Sequence, residues 1–242
     1  MNLLIMSDIH GNKSALLSVL KKVNAKHRID ACILLGDIID YGMHSNEVID
    51  ILKGLSYPVL CNIRGNHEDA VVNENYERFS SERGRECSKF TRSILTQNSW
   101  DYINQEMSDR GFYEFECAGK KCLAVHGSIE DEFWISLKPE DELSVYQKYD
   151  YVFSGHSHIP HYIEKYYSVN NKNARNKKKV IFINPGSVGQ PRNLNPMAQY
   201  VILDIKTEKV ILDKVVYDIL SEQSAYKGQV DEFYKNRLEM GI

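Results

Sequence analysis

The sequence has no long hydrophobic run, no large excess of charge of one sign, and few cysteines or prolines. No apolar run approaches the roughly 18 residues that a membrane-spanning helix needs. The first apolar residues reach Ser7 and Asp8 too soon for a signal peptide, so we expect no membrane partner. With 33 acidic and 30 basic side chains, the formal charge of -3 argues against a dedicated nucleic-acid-binding surface.

Cysteine is scarce and odd in number, at five residues. Cys32 and Cys61 lie in apolar, strand-like runs, which predicts small buried side chains. Cys117 and Cys122 flank a plausible hairpin turn, where a disulfide or a metal site is the less favoured alternative. We therefore expect a reducing compartment, the cytoplasm.

The first half of the chain alternates short apolar runs with amphipathic ones. Strands are predicted over residues 3–6, 31–35 and 58–63. Helices are predicted between them, over 13–26 with Asn12 as its N-cap and around 48–55. Continuous apolar strands separated by helices are typical of a parallel sheet covered on both faces, so the sequence predicts the α/β class.

The second half returns to strands after a polar, mostly helical segment. Residues 69–110 form that segment, which we expect to be a small flank or lid on a single domain over 1–242. Further strands are predicted over 112–117, 121–125, 151–153, 180–183, 200–205 and 209–217. Their alternating pattern favours a second, partly antiparallel sheet. The basic run over 172–179 is interpreted as a solvated hairpin tip, with a substrate-gripping patch as the alternative.

Residues that bind metals or transfer protons follow five of the predicted strands directly. The segments concerned are Asp8-Ile9-His10, Gly36-Asp37-Ile38-Ile39-Asp40, Arg64-Gly65-Asn66-His67-Glu68, His126-Gly127-Ser128 and Gly155-His156-Ser157-His158. Ligands bind beyond the carboxyl ends of strands in open α/β sheets. We therefore expect two aspartates, one asparagine and four histidines to converge, with His67 and Asp40 beside them.

This set of side chains predicts a metal centre. Asp8, Asp37 and Asp40 in one crevice would repel one another unless cations or protons neutralise them. Mixed carboxylate, amide and imidazole ligands suit Mn, Fe or Zn better than Mg or Ca alone. Seven ligands are too many for one catalytic ion and suit two ions that share a bridging carboxylate.

The series Asp8-X-His10, Gly36-Asp37, Gly65-Asn66-His67-Glu68, His126 and Gly155-His156-X-His158 resembles the calcineurin-like metallophosphoesterase superfamily. The segment over 184–192 further resembles its small bacterial and archaeal phosphodiesterase-type branch. The resemblance implies a four-layer αββα sandwich of two mixed sheets, with a small helical insertion.

The resemblance also implies roles for individual residues. Asp8, His10 and His158 would hold one divalent ion, and Asn66, His126 and His156 a second, with Asp37 bridging the two. Mn is the favoured metal, and a bridging hydroxide would attack phosphorus. His67 would protonate the leaving group, oriented by Asp40, although a purely structural histidine is the alternative.

One departure bears on the substrate. Protein serine/threonine phosphatases carry an arginine that holds phosphate where this chain has Tyr41. Arg64 and Arg192 are possible phosphate contacts, and Tyr41 could stack on a base or an aryl group. The sequence thus favours a phosphoesterase acting on a small phosphodiester, nucleotide or dinucleoside polyphosphate. The alternatives are a phosphomonoesterase, including a protein phosphatase, and a non-catalytic scaffold.

Overall fold

Two five-stranded mixed β-sheets pack against each other in the computed structural model, which describes residues 1–138 and 140–242. The strands are β1 Asn2–Met6, β2 Ala31–Leu34, β3 Val59–Asn62, β4 Phe112–Cys117, β5 Lys120–Val125, β6 Tyr151–Ser154, β7 His161–Ser168, β8 Lys177–Asn184, β9 Ala198–Asp204 and β10 Lys209–Val215. The helices are α1 Lys13–Lys26, α2 Ser45–Lys53, α3 Asn66–Asn73, α4 Glu82–Ile94, α5 Gln97–Gln105, α6 Ile219–Gln223 and α7 Glu232–Met240. The predicted α/β class with two mixed sheets is confirmed.

The first sheet has the strand order β10-β9-β1-β2-β3. Its β1, β2 and β3 run parallel, as the sequence predicted, while β9 pairs antiparallel with β1. The prediction that 200–205 and 209–217 belong to the second sheet is therefore wrong. Alternating burial was the basis of that prediction. It is present in β10, which lies at the edge of the first sheet, whereas β9 is buried almost throughout.

The second sheet has the order β4-β5-β6-β8-β7, with β5, β6 and β8 parallel and the two outer strands antiparallel. Sequence reasoning missed β7, although its residues alternate between half-buried and exposed along its whole length. The basic run forms the turn between β7 and β8 together with the start of β8. Lys172 and Arg175 are exposed there, as expected of a hairpin tip.

The main core lies between the two sheets because neighbouring residues of each strand point to opposite faces. Leu3 and Ile5 of β1 pack against the second sheet, and Leu4 and Met6 pack against the helices. The cap predicted for α1 is present, since the Asn12 side chain accepts a hydrogen bond from the Ala15 N–H at 3.0 Å. Leu137, Leu143, Tyr146 and Tyr149 cover the outer face of the second sheet, and Ser144–Tyr146 form a 3-10 turn there.

The predicted helical flank consists of α3, α4 and α5, inserted between β3 and β4. The C-terminal helices α6 and α7 pack against each other, and α6 also packs against α1. All five cysteines are buried and unpaired, which agrees with the favoured interpretation. Within the part of the chain that the structure describes, no helix has both the length and the apolar character to cross a bilayer.

Candidate active site

The seven predicted metal ligands meet where β1, β2, β3, β5 and β6 end. Their donor atoms form two groups that share one carboxylate, that of Asp37. The first group contains Asp8, His10, Asp37 and His158, and the second contains Asp37, His126 and His156. Asn66, the first residue of α3, completes the second group, because its Oδ1 lies 3.0 Å from His126 Nε2 and 2.9 Å from His156 Nδ1.

Each of the four histidines among the predicted metal ligands is oriented by a backbone carbonyl on its outer side. The Nδ1 atoms of His10, His126 and His158 lie 3.2, 2.7 and 2.5 Å from the carbonyl oxygens of Ile39, Leu35 and Gln190. His156 is reversed and contacts the Trp134 carbonyl through Nε2 at 3.2 Å. A carbonyl requires an N–H donor, so the opposite ring nitrogen of each histidine presents a lone pair to the centre. This arrangement is the usual one for metal-binding histidines.

The charges of the site also call for cations. Asp8 Oδ1 is buried and has no hydrogen-bond partner within the described residues. His10 Nε2 and His158 Nε2 lie only 3.2 Å apart, and two neutral lone pairs at that distance repel unless a cation or a proton lies near them. The donor set therefore fits divalent metal ions on the geometry of this chain alone.

The pKa values follow from burial and from these neighbours. Burial lowers the pKa of His156 to about 3, helped by nearby His126, and the pKa of His158 to about 4, helped by Arg192. Both rings are therefore neutral and able to bind metal near neutral pH. Burial alone would raise the pKa of Asp37, but His126 and His67 outweigh it and hold that pKa well below 3.8. The same pairing raises the pKa of His126 to about 9 against the opposing effect of burial, and a divalent ion bound at Nε2 would take the place of the proton on that nitrogen.

The loops that carry the ligands have an unusual backbone conformation. Among the residues that the structure describes, thirteen non-glycine residues have positive φ, and seven of them belong to the site: Asp8, His10, Asp37, Asp40, Tyr41, His156 and His158. Such a conformation costs about 1–2 kcal/mol per residue and persists only where the surroundings enforce it. Gly65 shows how tight these surroundings are, because a Cβ there would lie 2.1 Å from Asp37 Oδ1.

Glu68 enforces the conformation of two of these loops, a role that sequence reasoning did not assign. Its fully buried carboxylate accepts the backbone N–H groups of Asp37, Ile38, Ile39 and Gly65 at 2.8 to 3.1 Å. It thereby joins the loop after β2 to the start of α3. The available signal was the place of Glu68 in the Gly-Asn-His-Glu motif. The motif by itself does not show whether this carboxylate binds a metal or supports the loops around it.

His67 and Asp40 form the predicted dyad. His67 Nδ1 lies 2.7 Å from Asp40 Oδ2, and the other ring nitrogen lies 3.9 Å from Asp37 Oδ2. Burial lowers the pKa of His67, but Asp37 and the Asp40 hydrogen bond outweigh it and raise that pKa overall. Thr91 of α4 donates to Asp40 Oδ1 at 2.8 Å, so the helical flank helps to orient the dyad. Sequence reasoning missed Thr91, since nothing in α4 marks it.

The segment over 184–192 ties the second sheet to the metal ligands. Ser187 Oγ donates to the Asp8 carbonyl at 2.7 Å, and the Gly189 N–H donates to the same oxygen at 3.1 Å. Only glycine fits at 189, because a Cβ there would lie 1.8 Å from the Ile9 carbonyl oxygen. The segment therefore supports Asp8 and, through the Gln190 carbonyl, His158.

A cavity of about 410 Å³ opens over the two groups of ligands. Its wall beyond the metal ligands and His67 consists of Tyr41, Arg78, Phe79, Ser80, Trp134 and Arg192. The volume lies in the lower part of the range of roughly 300–1,000 Å³ for small-molecule sites. Phe79 stands edge-on to His67 and to Trp134, with ring centroids 5.0 and 5.1 Å apart, so one side of the cavity is aromatic.

The three predicted substrate contacts have different positions. Tyr41 and Arg192 line the cavity, and the Tyr41 ring lies 4.6 Å from the His10 ring and 4.3 Å from the His67 ring. Arg64 does not line it, which corrects the prediction that Arg64 contacts phosphate. Its buried guanidinium donates to the Ile103 carbonyl at 2.9 Å, because the end of α5 presents carbonyl groups that a cation satisfies.

Comparisons with known proteins agree with this geometry. The family model described as the calcineurin-like phosphoesterase superfamily domain matches residues 1–208. An uncharacterised protein of Methanocaldococcus jannaschii is 29% identical over 242 residues, covering 98% of this chain and 97% of that one. The crystal structure of a metallophosphoesterase from Sphaerobacter thermophilus is 25% identical with a TM-score of 0.74, over 100% of this chain and 99% of that one.

A hypothetical protein from Pyrococcus horikoshii shares the fold. Its TM-score is 0.84 at 19% identity, over 100% of this chain and 98% of that one. The family match covers well over half of the chain and includes every residue of the two ligand groups. The chain therefore belongs to the calcineurin-like phosphoesterase superfamily.

Proposed function

We propose that this protein is a two-metal phosphoesterase that hydrolyses a small phosphodiester, nucleotide or dinucleoside polyphosphate. The observation that carries the proposal is the pair of ligand groups that share Asp37. A carboxylate has two oxygens, so one residue can contact two ions, as a two-metal centre requires. Asp8, His10 and His158 would hold one ion, and Asn66, His126 and His156 the other. Mn is the metal we favour, because the ligands mix oxygen and nitrogen donors.

When bound, the two ions would lower the pKa of water and offset the charge that builds on the phosphoryl oxygens. The chain itself would supply the proton for the leaving group. His67 is suited to this task because its Nδ1–H is held by Asp40, which leaves the other ring nitrogen to carry a proton. The raised pKa of His67 favours its protonated form, as a general acid requires.

The cavity favours a small substrate with an aromatic part. Its volume of about 410 Å³ suits a compact ligand, and Phe79 and Trp134 offer ring edges and faces to a nucleobase or an aryl group. The similarity to the Methanocaldococcus jannaschii protein does not distinguish between substrates. The support for a small substrate comes from the size and lining of this cavity. A phosphomonoesterase would use the same side chains and differ only in the ester it accepts.

The test is Mn-supplemented hydrolysis of bis(p-nitrophenyl) phosphate beside p-nitrophenyl phosphate. We expect both esters to be cleaved, the diester faster. Asp37→Asn should lower kcat/KM by more than about 100-fold, since even outer partners of metal ligands cost 10- to 100-fold. Asp101→Asn is the matched control, because Asp101 is exposed on α5.

Each outcome separates the alternatives. Faster cleavage of the monoester would move the assignment to a phosphatase. Full activity in Asp37→Asn would refute a mechanism at this site. If elemental analysis finds no metal in the purified protein and neither ester is cleaved, a scaffold on the same fold would be favoured.

A further inference from the structure

Arg192 is the one cationic side chain of the cavity wall, among the described residues, that has no partner. Arg78, the other arginine there, is paired with Asp131 and lies over the Trp134 ring at 5.2 Å. Arg192 Nε is buried without a hydrogen-bond partner in the described part of the chain. A buried donor without an acceptor is unfavourable, so this position points to an anionic partner from outside the chain.

The backbone around Arg192 is held from two sides. Its N–H lies 3.4 Å from the carbonyl oxygen of His158, one of the metal ligands. Two residues later, the Leu194 N–H donates at 2.8 Å to the Gly241 carbonyl, at the end of α7. Gly241 has φ +67° and packs so closely that a Cβ there would lie 2.6 Å from Asn195 N. The loop thus bridges the metal centre and the C-terminal helix.

The same helix approaches the cavity through its side chains. Tyr234 stacks on Tyr41 with ring centroids 4.5 Å apart, and Tyr41 in turn lies against His10. The Arg237 guanidinium lies 5.9 Å from the centre of the Tyr41 ring, and its Nε donates to the Ile242 carbonyl at 2.6 Å. Neither Arg192 nor Arg237 pairs with an aspartate or glutamate side chain among the described residues.

Tyr41 lines the cavity together with Arg192, and its ring lies 5.9 Å from the Arg237 guanidinium. Burial, together with the charge of Arg192, lowers the pKa of Arg237 to about 10. An anion bound in the cavity beside Arg192 would offset the positive charge of that side chain. The helix α7 lies outside the residues 1–208 that match the family model, so the arrangement depends on a part of the chain that the family description does not cover.

We propose that Arg192 binds the non-bridging oxygens of the substrate phosphate and that α7 positions it through Arg237 and Gly241. Protein serine/threonine phosphatases have an arginine that holds phosphate where this chain has the uncharged Tyr41. Arg192 would supply that contact in its place. This inference rests on the proposed function. It assigns Arg192 to substrate binding and Arg237 to positioning, because Arg237 is buried behind Tyr41 and does not line the cavity.

The test measures anion binding as well as activity. Inorganic phosphate is titrated into the Mn-loaded protein by calorimetry, and KM, kcat and competitive inhibition by phosphate are measured with p-nitrophenyl phosphate. In Arg192→Met we expect phosphate affinity to fall, and KM to rise, by about 10- to 100-fold, the effect of one charged hydrogen-bonding group. Arg192→Lys should restore part of the affinity, because lysine keeps the charge and loses the planar fork.

Positioning by α7 is tested with two further variants. Arg237→Met and Gly241→Ala should each weaken phosphate binding by several-fold while Mn affinity stays unchanged, which a general loss of stability would not produce. Arg28→Met is the control, since Arg28 has a 92% exposed side chain and does not line the cavity.

The possible failures are distinct. If Arg192→Met binds phosphate within twofold of the wild type while Asp37→Asn is inactive, the proposed function stands and this inference is overturned. Absence of phosphate binding to the wild type overturns it as well. If the wild type cleaves no ester but loses phosphate binding in Arg192→Met and keeps it in Arg28→Met, the anion site stands and the proposed reaction does not.

Discussion

Replacing Glu68 with glutamine tests whether this residue holds the metal-binding loops together. Its Oε1 accepts the N–H groups of Ile38 and Ile39 at 2.8 and 3.1 Å, and its Oε2 accepts those of Asp37 and Gly65, both at 2.8 Å. Glutamine keeps one oxygen and replaces the other with an NH₂ group. Two of the four backbone donors then face another donor instead of an acceptor.

The magnitude follows from those two lost bonds. A buried donor left without an acceptor costs about 1–3 kcal/mol, so Glu68→Gln should lower the free energy of unfolding by about 2–6 kcal/mol. That is a large part of the roughly 5–15 kcal/mol that stabilises a typical domain. Mn affinity should also fall by about 10- to 100-fold, because the loop that carries Asp37 loses its support.

Urea unfolding followed by circular dichroism measures the first effect, and titration with Mn measures the second. Asp69→Asn is the matched control, because it removes a charge from the next position of α3, where the side chain is half-buried and, among the described residues, accepts a hydrogen bond from Asn73 alone. Its cost should be about 0.3–1 kcal/mol, that of one acidic group at a helix start. If Glu68→Gln unfolds within about 1 kcal/mol of Asp69→Asn, the reasoning is refuted.

Three further predictions concern metal, the dyad and pH. Mn should raise Tm and a chelator should lower it, because cations that bind only the folded state stabilise it; calorimetric scans that neither reagent shifts would contradict a metal centre. Asp40→Asn should lower kcat by about 100-fold or more with Mn affinity unchanged, since His67 loses its ionised partner; kinetics within tenfold of the wild type would leave the dyad without a role. The hydrogen bond to Glu222 raises the pKa of His44, so this contact stabilises the protein fully below about pH 6.5 and less as pH rises through the raised value. The Tm difference between wild type and His44→Gln should therefore shrink with rising pH, and a constant difference would argue against it.

The fold was predictable wherever burial imposed a simple pattern. The parallel strands β1 and β2 are apolar on both faces, and α1 carries apolar residues at helical spacing after the Asn12 cap. The assignment of β9 and β10 was not predictable in this way. Periodicity shows which residues are buried, but it does not show which sheet edge a strand joins.

The convergence of the predicted metal ligands could be foreseen because the sequence places these residues directly after strands. Chain connectivity carries each such residue to the carboxyl end of its strand, and those ends of the parallel strands meet in space. Only the tertiary structure shows which partner each charged side chain has. Arg64 and Arg192 both looked like phosphate contacts, yet Arg64 satisfies the end of α5 while Arg192 lines the cavity.

Glu68 and Thr91 illustrate the same limit. One lies in the metal-binding motif and the other in an unremarkable helix, and both hold the site by hydrogen bonds to residues far away in the chain. The sequence by itself determined most of the strands and the types of side chain that gather at their carboxyl ends. Only the tertiary structure decided which polar atoms could hold a metal, which bind the backbone and which face the cavity, because a hydrogen bond depends on distance and direction in space.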